Sequence, residues 1–168
     1  MESLVRQATT ADLDSLVKIF RACWLTSYKD ILPESVRDEM SVEKAHQMWA
    51  HSVAPHAART TFVIELAGQV VGVTRVGSDE SNSMRGHLFS LYVHPDNAGR
   101  GLGKILLKHA LASLREIGFE EITLWVFKNN APTRHLYRSL GFQETGQERI
   151  DDRWKNPEIE MLAPSKLF

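Results

Sequence analysis

The residues best suited to chemistry lie in one run, Leu91-Tyr92-Val93-His94-Pro95-Asp96-Asn97-Ala98-Gly99-Arg100-Gly101-Leu102-Gly103-Lys104. An apolar stretch enters a turn with glycines at alternate positions, and a helix-forming sequence follows at once. Glycine admits positive φ and lets a ligand approach where a Cβ would otherwise stand. Successive amide hydrogens in such a turn, with the unpaired N–H groups that open the helix, make a concave anion site reinforced by the helix dipole. Arg100 and Lys104 add positive charge, so phosphate or pyrophosphate is the natural guest. A magnesium-binding P-loop is rejected because Ile105 follows Lys104 where Ser or Thr belongs. A dinucleotide fold would want an acid at the far end of the next strand; Glu120 and Glu121 stand at its beginning. From these residues alone, a glycine turn without a ligand stays open.

A second run, Val126-Phe127-Lys128-Asn129-Asn130-Ala131-Pro132-Thr133-Arg134-His135-Leu136-Tyr137-Arg138-Ser139-Leu140-Gly141-Phe142, carries side chains able to act. Asn130 stands at a helix start, where it can cap the helix or reach a ligand. Tyr137 follows two turns later on the same face. Taken alone, Tyr137 reads as a core residue with its hydroxyl at the rim.

The two runs together resemble the Gcn5-related N-acetyltransferases (GNAT). That family's acetyl-CoA motif, Gln/Arg-x-x-Gly-x-Gly/Ala, falls on Ala98 to Gly103, with Ala98 where Gln or Arg is usual. The family's grip on phosphate comes mainly from backbone N–H groups, so binding is expected to survive that change. The second run is similar to the family's Asn-x-x-Ala-x-x-x-Tyr-x-x-x-Gly-Phe segment, with Thr133 in the Ala position. The resemblance covers most of residues 60–163; the N-terminal helices fit less specifically, through Trp24, Tyr28 and the Ile31-Leu32-Pro33 turn.

The resemblance implies acetyl transfer from acetyl-CoA to an amine, without a metal. Acetyl-CoA would be held by Leu91, Tyr92, Val93, Ala98, Gly99, Arg100, Gly101, Leu102, Gly103, Lys104, Asn130 and Thr133. The backbone of Leu91 to Val93 would pair with the pantetheine arm like an added strand. The Val93 N–H would polarise the thioester carbonyl, and Tyr137 would protonate the departing thiolate. Many members place a Glu, as base, at the start of the strand leading to the glycine turn; His87 stands there here and titrates near neutrality. A strand histidine satisfied by a neighbour is the alternative. Strand alternation puts Ser90 and Tyr92 on the opposite face from His87. The acceptor, a small-molecule or peptide amine, belongs in a groove between the N-terminal helices and the last hairpin. Trp24, Tyr28, Trp49 and Trp154 are available to line it, and Asp151 and Asp152 to attract a cation. An acyl-CoA sensor without chemistry and a transferase for a longer acyl chain are the rival readings.

These residues need a scaffold, and hydrophobic periodicity supplies one. Strands are expected at 4–8, 60–66, 70–76, 86–93, 121–127, 142–150 and 158–162. Helices are expected from Thr10, from Pro33, from Ser41, over 103–117 and over 131–140. Leu13, Leu16, Val17, Phe20, Cys23 and Trp24 form one apolar stripe, which makes Cys23 a buried small hydrophobe. In the fourth helix Leu102, Leu106, Ala110, Leu114 and Ile117 form the inner side. The fold class is α/β (α+β): a mixed, mostly antiparallel sheet of about seven strands with helices on both faces.

The 168 residues suit a single N-acetyltransferase domain spanning 1–168, without repeats or linkers. A net charge of −1 argues against nucleic acid as a partner. One cysteine allows no intrachain disulfide, and no apolar stretch is long enough for a membrane span. The N-terminus has no signal-peptide pattern, so the expectation is a cytoplasmic protein. Oligomeric state is not legible here, though the homodimer is the commonest assembly.

Overall fold

In the computed structural model, which describes residues 3–55 and 57–168, one seven-stranded sheet runs through almost the whole chain. Its strands are β1 (Ser3–Gln7), β2 (Thr60–Leu66), β3 (Gln69–Ser78), β4 (Gly86–Val93), β5 (Glu121–Phe127), β6 (Gln143–Asp151) and β7 (Asn156–Pro164). The order across the sheet is β1-β2-β3-β4-β5-β7-β6, so β7 inserts between β5 and β6. Only β4 and β5 pair parallel; the other neighbours are antiparallel. The helices are α1 (Leu13–Ala22), α2 (Glu34–Asp38), α3 (Val42–Ala50), α4 (Leu102–Ile117) and α5 (Ala131–Ser139). The sequence-based boundaries mostly hold, although β3 and β7 run longer than their apolar patterns and β6 is shifted by one residue. Met1 and Glu2, part of the N-terminal reading, lie outside the described residues.

Each face of the sheet has its own core. On one, α4 buries Leu102, Leu106, Leu107, Ala110, Leu111 and Leu114 against Ile64, Val76, Leu88, Ile122 and Leu124. On the other, α1, the turn that follows it and α3 bury Leu16, Phe20, Trp24, Ala45 and Trp49 against Val63 and Val73. After Ala22 the first helix widens into a π-helical turn, Cys23–Ser27, which carries Trp24 and Cys23 inward. Cys23 is buried as expected, and burial pushes its thiol up to about 11. Ile117 does not close the α4 stripe. It is the last residue of α4 and is 66% exposed.

A β-bulge in β4 changes which side chains share a face. Arg75 pairs with Ser90, but the next residue, Val76, pairs with Leu88, leaving Phe89 as the extra residue. The bulge reverses the alternation that strand periodicity predicts. Leu88 and Leu91 both pack towards α4, while Tyr92 packs with Phe20 and Trp49 on the other side, the side that also holds His87. Ser90 and Tyr92 therefore share the face of His87, contrary to the simple period of two.

Burial decides the expected cost of truncating α4. Leu111→Ala should lose about 3 kcal/mol, or very roughly 9 °C in melting temperature for a chain of this size. Ile117→Ala should stay within about 0.5 kcal/mol. Paired thermal melts test both; equal losses would contradict this placement of α4.

Candidate active site

β4 and β5 separate at the point where chemistry requires room. Their parallel register covers Gly86↔Ile122, His87↔Thr123 and Leu88↔Leu124 and then stops. On its other side β4 stays paired with β3 as far as Gly72↔Val93. Leu91, Tyr92 and Val93 therefore keep one strand neighbour and have an open edge towards β5. The His94 N–H donates to the Val71 carbonyl at 2.8 Å, which fixes the direction of the last β4 amides. Backbone groups alternate along a strand, so the Val93 N–H points away from β3 into the opening. The thiol of Cys23 donates to the Val93 carbonyl at 3.1 Å and anchors that end of the edge.

Directly after this edge comes the glycine turn. Gly99 and Gly101 have φ of 74° and 75°, a conformation that disfavours any side chain, and a Cβ on either would meet nothing within 4 Å. The space in front of their amides is thus open. Gly101 stands at the N-terminal cap of α4, a helix of 16 residues, so its first amides face the same opening. Gly103 lies against Val93, where an added Cβ would come 3.5 Å from Val93 Cγ2. Ala98, Arg100 and Lys104 are exposed around the turn, and Leu102 turns into the core. Bare amides, a helix mouth and two cations form a cradle whose donor set fits a diphosphate.

A cavity of about 620 Å³ opens on the other side of the same edge. Leu91, Tyr92, Asn130, Thr133 and Tyr137 line it, together with all four aromatic residues expected at the groove: Trp24, Tyr28, Trp49 and Trp154. The aromatics also pack on one another. Trp24 lies 5.2 Å from Trp154 and 5.8 Å from Tyr28, centroid to centroid, and Trp24 and Trp49 belong to the core as well. Asn130 caps α5, accepting from the Thr133 N–H at 3.3 Å. Tyr137 projects from α5 over Phe142, and burial holds its hydroxyl well above the ordinary tyrosine range.

His87 stands in this cavity at the end of a buried polar chain. Its Nδ1 is 2.7 Å from Thr123 Oγ1, and that hydroxyl donates to Asp79 Oδ2 at 2.5 Å. Because Thr123 gives its proton to the carboxylate, it can only accept from His87, so Nδ1 carries the ring proton. Nε2 is then a free lone pair with no partner among the described residues. Burial lowers the imidazole to about 4, the neighbouring Asp79 charge only partly opposing it. Burial would raise Asp79, but the hydrogen bonds from Thr123 and Ser81 outweigh it and hold the carboxylate below its usual range. His87 is thus both satisfied by a neighbour and open to the cavity.

The final hairpin behaves differently from expectation. Asp151 is engaged by Arg153, whose Nε lies 2.9 Å from its Oδ1, and it does not reach the cavity wall. Asp152 is exposed. The hairpin instead contributes Arg149, Arg153, Trp154 and Glu158 to the wall. Sequence reasoning also missed Asp79, Thr123 and Arg75. Thr123 had a signal, as the one hydroxyl in the apolar run Ile122-Thr123-Leu124-Trp125-Val126. Asp79 and Arg75 had none, since each acquires meaning only from a strand far away in the chain.

Comparison with known proteins agrees with this geometry. The model of the acetyltransferase (GNAT) family matches residues 13–142. The chain is 33% identical over 135 residues to a mycothiol acetyltransferase of Propionibacterium freudenreichii, covering 78% of this chain but 40% of that longer protein. It is 26% identical over 145 residues to the L-amino acid N-acyltransferase MnaT of Escherichia coli, covering 85% and 81% of the two chains. Among solved structures, a ribosomal-protein-alanine N-acetyltransferase from Brucella melitensis superimposes with a TM-score of 0.75 at 26% identity, covering 96% of this chain and 99% of that one. The chain belongs to the acetyltransferase (GNAT) family.

Proposed function

We propose that this chain, as one domain over residues 1–168, transfers the acetyl group of acetyl-CoA to a primary amine by direct attack within a ternary complex. The observation that carries the reading is the opening between β4 and β5 beyond Leu88, with the glycine turn at one end and the aromatic cavity beside it. A diphosphate at the amides of Gly99 to Lys104 and a pantetheine arm along Leu91 to Val93 would deliver the thioester to the cavity mouth. Asn130 and Thr133 flank its path on α5.

The amine nitrogen attacks the thioester carbonyl carbon, and the carbonyl π pair moves onto oxygen. The Val93 N–H, aimed into the opening, stabilises that oxyanion. The attacking nitrogen becomes acidic as the new bond forms, and its proton passes to Nε2 of His87. A ring titrating near 4 cannot strip an alkylammonium near 10.4 beforehand. It accepts the proton during attack, from an amine that arrives neutral. When the oxyanion collapses, the C–S bond breaks and the pair leaves on sulfur. Tyr137 supplies the proton as that charge develops. Burial keeps the Tyr137 hydroxyl protonated, so the proton is in place when charge appears on sulfur. The products are the N-acetyl amine and free coenzyme A thiol. Positioning both reactants in one cleft supplies much of the remaining acceleration.

A thiol-release assay with acetyl-CoA and a panel of amines tests the whole reading. Gly101→Glu places a carboxylate at the cradle and should abolish both turnover and the calorimetric signal of coenzyme A. Undiminished binding in that variant would refute the donor site. Coenzyme A binding with no turnover of any amine would instead make the chain an acyl-CoA sensor.

His87→Gln and Tyr137→Phe should each lower kcat by roughly 100-fold. Loss of rate on acidification should follow the acceptor amine, with no histidine limb near 6.5. Stability gives a second readout of His87. Between pH 6.5 and about 4 the unfolded chain binds a proton on this ring that the folded chain does not, so stability falls as pH falls through that window. The full loss is on the order of 3 kcal/mol. Melting curves of His87→Gln should be flatter over the same range; identical pH dependence would show that His87 is not held neutral.

A further inference from the structure

We propose that Arg75 is a carboxylate-binding residue for the acceptor, so that the amine acetylated here belongs to a free α-amino acid. The inference rests on the acetyl-transfer reading above and specifies its substrate class. Four arginines line the cavity, against the acids Asp79, Glu80 and Glu158. Three of the four are matched: Arg59 with Glu80, Arg149 with Glu158 at 2.7 Å, and Arg153 with Asp151. Arg75 pairs with no carboxylate among the described residues, and its Nε is buried with no hydrogen-bond partner. Its guanidinium lies instead 5.5 Å from the ring centre of Trp49. Burial, and then the fields of Arg59 and Arg153, bring it down to about 10, so it remains charged at neutral pH.

A partly buried guanidinium without a counter-charge costs stability. An anion brought by a ligand would supply the missing partner, and the planar fork of arginine matches a carboxylate through two parallel hydrogen bonds. The position suits the reaction. Arg75 pairs across the sheet with Ser90, and Gly77, two residues further along β3, pairs with His87. Two strand residues span about 7 Å, so Arg75, level with Ser90, and His87 stand on either side of the point beyond Leu88 where the open edge begins. In an α-amino acid a single carbon separates the carboxylate from the reacting nitrogen, which fits one group at each of these two stations. Trp24, Tyr28, Phe127 and Trp154 then offer an apolar wall to the side chain. A polyamine, an aminoglycoside or a protein lysine has no carboxylate beside its amine, and polycations would meet the excess positive charge of Arg75.

The test uses matched sets for leucine, methionine, phenylalanine and glutamine: the L-amino acid, its α-amide and the decarboxylated amine, each assayed by thiol release with acetyl-CoA. At least one amino acid should exceed its amide by roughly 100-fold in kcat/KM. Arg75→Gln should bring that ratio close to unity, mainly through KM, while the calorimetric affinity for coenzyme A is retained. Arg75→Met should melt at or above the wild-type temperature, because an uncompensated, partly buried charge has been removed. With coenzyme A present, 4-methylpentanoate (the leucine skeleton without its amine) should raise the melting temperature of the wild type and not of either variant. Amine turnover without preference for the carboxylate, or a preference that survives in Arg75→Gln, overturns this proposal and leaves acetyl transfer standing. If no amine is turned over, acetyl transfer fails as a reading, and the 4-methylpentanoate shift still decides whether Arg75 binds carboxylates.

Discussion

Two adjacent parallel strands that stop pairing halfway are the constraint on which this site depends. A strand edge inside a sheet normally finds its hydrogen bonds in the next strand, because unpaired backbone groups away from water are costly. Here β4 keeps β3 as far as Val93 while β5 leaves after Leu88, so the last β4 amides must be met by something other than protein. The extra residue at Phe89 contributes to the same result. It turns the end of β4 so that Leu91 and Val93 pack towards α4 while Tyr92 enters the aromatic cavity. The helix mouth at Gly101 and the π-helical turn that carries Cys23 to Val93 both lie against this edge.

The acceptor side is organised by burial of polar groups more than by apolar shape. Asp79, Thr123 and His87 lie on three different strands or strand ends, and their hydrogen bonds fix one imidazole tautomer. Burial holds that ring neutral and the Tyr137 hydroxyl protonated, so both keep one protonation state over the range in which the protein would work. Partial burial also makes the unmatched charge of Arg75 expensive. Polar features that lower stability and face a cavity are explained more readily by a ligand than by folding.

The fold was largely legible. Periods of 3.6 and 2, helix-stop glycines and capping residues located the helices and strands within a few residues, because these signals are local. Most of the errors were long-range. Ile117 continues the α4 stripe in sequence, yet at the last residue of the helix it is left exposed. Ser90 and Tyr92 follow a period of two until the bulge reverses it, and nothing near Phe89 in the sequence marks that extra residue. Asp151 looked free because its partner, Arg153, only folds back onto it within the hairpin turn.

By itself the sequence determined the glycine turn, the helix that follows it, the asparagine cap and the tyrosine two turns later. Each is a pattern of residue types within one short segment, and backbone sterics and capping chemistry act at that range. Tertiary structure alone decided where β4 and β5 part, which polar groups meet His87, and that Arg75 meets no carboxylate among the described residues. Those outcomes depend on which distant strands become neighbours and in what register, and a shift of one residue sends every side chain to the opposite face.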